Sequence, residues 1–97
     1  MALKIKWTKR AASSFDKIVN YIEENWSENS AKNFVRKTNK ILDQIAENPD
    51  MCPEIEGKDL KKGVITKQTS LYYRLIGKVI HLVTFWDNRQ DPKKLKV

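Results

Sequence analysis

The chain has 97 residues, 40% of them hydrophobic and 32% charged, a mix that suits a folded domain and excludes a disordered segment. At this length roughly two thirds of the unfolded surface can be buried, enough for one core and no second one. The net charge is +7, and the single cysteine, Cys52, rules out an internal disulfide and a cysteine-built metal centre.

That charge is unevenly placed. Residues 1–57 hold nine Lys/Arg and nine Asp/Glu, whereas residues 58–97 hold ten Lys/Arg against three acids, so the whole excess lies in the C-terminal part. A positive field confined to one part of a small domain points to a polyanion or an acidic protein partner. No apolar run nears the ~18 residues of a membrane span. The opening MALKIKWTKR lacks the apolar stretch and cleavage site of a signal peptide. The expectation is one cytoplasmic domain over residues 1–97, with no membrane contact.

Leu3-Lys4-Ile5-Lys6-Trp7 alternates apolar and basic residues, the pattern of a half-buried strand. Thr8 follows as a helix N-cap. Ala11, Phe15, Ile18, Ile22 and Trp26 then recur every three or four residues and form one apolar stripe. A polar break over Asn25–Ser30 offers Ser27 and Ser30 as caps for a second helix. Ala31, Phe34, Val35, Thr38, Ile41, Leu42 and Ile45 carry that helix through Ala46, and Pro49 ends it. The pair predicts an antiparallel helix hairpin.

Residues 49–63 read as an irregular connection in which Met51 and Ile55 meet the core. Strands are expected over Val64–Gln68, Leu71–Ile76 and Val79–Trp86. Gly77-Lys78 supplies a two-residue hairpin with glycine first, as a type II′ turn requires. Val79–Trp86 is apolar nearly throughout and is expected to lie centrally, packed on both faces. From Asp87 onward, past Pro92, the tail is polar and reads as loop or a short helical turn. Strands segregated from helices indicate an α+β fold: an N-terminal strand, a helix hairpin and a three-stranded antiparallel meander.

No phosphate-binding glycine loop, HExxH or Cys/His cluster is present, so neither a cofactor nor a metal is expected. His81, on strict alternation, shares a face with Val79, Val83 and Phe85 and reads as a partly buried structural histidine. Lys67, Arg74 and Arg89 are the candidate site. Arg74 sits mid-strand with Tyr72 and Ile76, opposite Tyr73 and Leu75. If the helices cover Tyr73 and Leu75, Arg74 faces away from them, where a guanidinium can grip a phosphate through two bonds. Lys67 and Arg89, at neighbouring strand ends, can converge on it. Such a set suits metal-independent phosphodiester cleavage, with cations stabilising charge on phosphorus. It suits equally a surface that only binds an acidic partner or nucleic acid. Trp7, Tyr72, Tyr73, Phe85 and Trp86 read as core packing more than as a base-stacking platform.

Taken together, KIKWTKRAASSFDKIVNYI, ILDQIAENP, YYRLI and VIHLVTFWDNRQDP resemble the RelE/ParE superfamily of bacterial type II toxins, which are linked to plasmid stabilisation. The resemblance spans nearly the whole chain. It implies a growth-inhibiting toxin neutralised by a cognate antitoxin, itself expected to bring an acidic amphipathic segment that folds on binding. RelE-type members are endoribonucleases that cut mRNA on the ribosome; ParE-type members poison DNA gyrase. Arg74 matches the central-strand arginine of the ribonucleases, Lys67 one of their lysines, and Arg89 the arginine after the last strand. Two departures stand against cleavage. Ile65 occupies a position that is lysine in some ribonucleases, and no tyrosine or histidine follows Trp86. A degenerate, non-toxic member that only binds an acidic partner or nucleic acid is the alternative.

Overall fold

The computed structural model describes residues 2–89. Its elements are β1 (Lys4–Trp7), α1 (Lys9–Asn25), α2 (Glu28–Glu47), β2 (Lys61–Thr66), β3 (Thr69–Ile76) and β4 (Val79–Asp87). The expected α+β arrangement is present. Strands β2, β3 and β4 form the antiparallel meander, and β1 adds to it in parallel with β4, giving the order β1-β4-β3-β2.

Local chemistry accounts for most boundaries. The Thr8 hydroxyl accepts from the Ala11 amide at 3.1 Å, capping α1, and donates to the Leu82 carbonyl at 2.7 Å. One side chain therefore starts the helix and fastens it to β4. Ser27 caps α2 by accepting from the Ser30 amide at 3.0 Å. Gly77 has φ +61, and no non-glycine residue among those described has positive φ, so Lys78 lies in the ordinary region. That combination fits the expected type II′ turn and excludes type I′.

The core lies between the helix pair and one sheet face. Ile65, Leu71, Tyr73, Ile80, Leu82 and Phe85 from the sheet meet Ala11, Phe34, Leu42 and Ile45 from the helices. Trp7, Phe15 and Phe85 form a ring cluster at centroid distances of 5.0 to 5.5 Å, extended by Phe34. Trp7, Tyr73 and Phe85 are thus packing residues rather than a stacking platform.

Several expectations need correction. Trp26 does not continue the α1 stripe into the core: it is the C-cap residue and is 67% exposed. Strand β2 begins at Lys61, three residues before the expected start, and ends at Thr66. Its Gly63 lies where a Cβ would come within 3.3 Å of Cys52 Sγ, so the bare glycine lets the connection pack onto the strand. Cys52 and Leu60 anchor that connection, while Met51 is exposed and Ile55 half-buried.

Strand β4 is central but not buried on both faces. Ile80 and Leu82 are fully buried, whereas Val79 and His81 are half-buried on the other side. Strict alternation also fails within it. Tyr72 pairs with Thr84 but Tyr73 pairs with Leu82, leaving Val83 as a bulge residue. Phe85 is thereby carried onto the helix-facing side, away from the His81 face where alternation put it. The last expected feature, the polar tail past Arg89 with Pro92, lies outside the described residues.

Candidate functional site

A groove of about 700 Å³ lies between the helix hairpin and the end of the sheet where β2 turns into β3. Its apolar floor is Ile18, Ile22 and Phe34. Tyr21 and Trp26 project into it, 45% and 67% exposed. Lys17, Lys37, Lys67 and Arg89 supply cations around it, with Asp87 as the one carboxylate among the described residues of its lining. An apolar trough with exposed aromatics and a cationic margin suits an amphipathic segment bearing acids beside its apolar face.

Two of the three candidate residues line this groove, and the structure explains how they are brought there. Lys67 lies in the β2–β3 turn, where the Thr66 hydroxyl accepts from the amides of Gln68 and Thr69 at 3.2 and 3.1 Å. Asn88, just past β4, ties its own strand end to that turn. Its amide donates to Gln68 O at 2.8 Å, and its side chain accepts from Ser70 Oγ at 2.8 Å. Arg89 follows directly. Asn88 is therefore a positioning residue, and its role depends on a contact between strand ends that no local pattern discloses.

Arg89 is engaged. Its Nε donates to Asp87 Oδ1 at 3.0 Å and its Nη2 to Oδ2 at 2.7 Å, a two-point hold. Its guanidinium also lies 5.5 Å from the Tyr21 ring centroid. The Asp87 hydrogen bonds, with Tyr21 second, keep Arg89 charged well above its ordinary range. In return, Arg89 holds the Asp87 carboxyl below its usual value.

Arg74 is elsewhere. It lies five residues along β3 from the groove-lining Thr69, roughly 17 Å at the rise of a strand, and on the face turned away from the helices. Its neighbour there is His81, directly opposite on β4. Arg74 is half-buried, and its Nε is buried with no hydrogen-bond partner among the described residues. The three cations do not form one constellation: Lys67 and Arg89 belong to the groove, and Arg74 to the far face.

Residues 5–92 match the family of ParE toxins of type II toxin–antitoxin systems, parDE. The chain belongs to the ParE toxin family. Among solved structures, the chromosomal ParDE system of P. aeruginosa has a TM-score of 0.76 at 18% identity, covering 89% of this chain and 96% of that one. The YoeB dimer of Staphylococcus aureus has 0.61 at 18% identity, covering 87% and 94%. The E. coli DinJ–YafQ toxin–antitoxin complex has 0.62 at 11% identity, covering 92% and 96%. At such identities these likenesses concern the fold. No curated protein matches the chain in sequence. This ParE-family chain is thus a toxin of a type II toxin–antitoxin system. No helix among its described residues is long and apolar enough to cross a membrane.

Proposed function

We propose that this ParE-family toxin arrests growth by poisoning DNA gyrase rather than by cutting mRNA, and that its antitoxin lays an acidic amphipathic segment in the groove. The observation carrying the first part is the separation of the cations. Cleavage without a metal needs cations and a proton-transfer group gathered around one phosphate. Here Arg89 is held by a carboxylate in the groove, and Arg74 is on the opposite face. For the second part, the support is the exposed Trp26 and Tyr21 above an apolar floor with four cations around it.

Induction without antitoxin tests the reading in cells. The expected result is growth arrest with DNA-damage signalling and intact transcripts. Among the far-face strand residues, His81 is the group beside Arg74 best suited to moving a proton. Arg74→Gln and His81→Gln are therefore included, and neither variant is expected to produce or abolish transcript cleavage. Cut transcripts in the wild type that vanish in either variant would establish the ribonuclease reading instead. Normal growth at high levels of folded protein would remove the toxin mechanism altogether.

A further inference from the structure

The sheet divides its charge between its faces. Register and burial put Lys4 and Lys6 of β1, Val79 and His81 of β4, and Tyr72, Arg74 and Ile76 of β3 on the face turned from the helices. Lys62 of β2 joins them, paired with Tyr72 and with its Nζ 6.0 Å from that ring's centroid. Lys6 pairs with His81, and His81 with Arg74, so three nitrogen-bearing side chains form one row across three adjacent strands. The four strands contain a single acid, Asp87, and it lines the groove on the other side. One buried donor on the far face, Arg74 Nε, has no acceptor among the described residues. Among the described residues, the strands of this face offer donors and positive charge and no carboxylate to receive them.

We propose that it docks the phosphate backbone of duplex DNA, with Lys6, His81 and Arg74 as the central row and Lys4 and Lys62 at its margins. The row spans two strand spacings, about 9.6 Å, and rigid strands hold its members in fixed relation. A duplex presents one negative charge per ~1.7 Å of axis and so meets such a row in many registers. Unpaired RNA fits less well, because its recognition draws on exposed rings for stacking. Tyr72 is only 4% exposed and Trp86 half-buried. The inference extends the gyrase reading, since gyrase holds DNA, yet it concerns a direct contact that can be measured without the enzyme.

The test is fluorescence anisotropy of a labelled 20-base-pair duplex with purified toxin across a salt series. About four phosphate contacts give a log–log slope near −3.6. Lys4→Gln/Lys6→Gln changes only exposed side chains, so folding is preserved; it should weaken binding about tenfold and flatten the slope by about 1.8. Lys32→Gln/Lys40→Gln on α2 removes the same charge and should change affinity less than twofold. Equal losses in both pairs would mean that net charge alone attracts DNA, and would overturn the site. A salt-independent signal would do the same. Single-stranded RNA bound at least tenfold more tightly than the duplex would overturn the choice of DNA. A supercoiling assay on the same preparations reports the gyrase reading separately, so either can fail alone.

Discussion

Tyr73 joins the core to the connection that follows α2. Its ring is fully buried, and its hydroxyl donates to the Pro49 carbonyl at 3.0 Å. Burial first, and then its hydrogen bonding with Cys52, raise its ionisation above the ordinary value of 10.0. A raised value means that the associated stability is complete below pH 10 and is lost as pH climbs from there toward the folded value. Tyr73→Phe keeps the ring and removes the bond, so denaturant titration at neutral pH should show a loss of about 0.5–1.5 kcal/mol. The same variant should lose less stability than the wild type above pH 10. Asp87 works in the opposite direction. Its carboxyl is depressed by the Arg89 hydrogen bonds, so the clamp persists at neutral pH and opens only as pH falls below the ordinary 3.8. The Arg89 Nε–H resonance should report the clamp at neutral pH, disappear below that value, and be absent in Asp87→Asn at any pH.

Among the elements, Thr8 and Gly63 make the sharpest cases. Thr8 caps α1 and also bonds the Leu82 carbonyl at 2.7 Å, with Val83 O at 3.2 Å. Two consecutive strand carbonyls within reach of one hydroxyl are a product of the bulge, since a regular strand points them to opposite sides. Thr8→Ala should therefore cost about 1–2 kcal/mol in chemical denaturation, toward the upper end of N-cap losses. Gly63→Ala forces a methyl toward Cys52 Sγ and should cost about 1–3 kcal/mol. Combined with Cys52→Ala, the loss should fall below the sum of the two single variants. Both helices, their caps and the Gly77-Lys78 turn were legible in the sequence because neighbouring residues decide them. The Val83 bulge was not, because it is defined by pairing with β3 and fastened by Thr8, 74 positions away from Leu82. Nor was the parallel addition of β1 beside β4, which takes Lys4 and Lys6 to the basic face.

Over the whole molecule, the two sides of the sheet differ in chemistry. On the helix side, a groove with Tyr21, Trp26, Lys67 and Arg89 suits a protein segment; on the far side, a cationic row suits a polyanion. The sequence located the excess charge in the C-terminal part and picked out Lys67, Arg74 and Arg89. It could not assign them to separate faces, since that depends on how far β3 carries Arg74 from the turn that holds Lys67. Nor did it mark Tyr21 and Trp26 as a site, because at helical spacing Trp26 reads as an ordinary member of the apolar stripe and Tyr21 belongs to no motif. Their role appears only when α1, α2 and the β2–β3 turn are brought around one space. The separation of the cations is also what favours a protein–DNA target over phosphodiester chemistry. The most direct measurement incubates purified toxin with gyrase, ATP and relaxed plasmid, with ribosome-bound mRNA in parallel. The account predicts loss of supercoiling with accumulation of cleaved DNA, reversed by the antitoxin, while the mRNA stays whole; undiminished supercoiling with cut mRNA would contradict it.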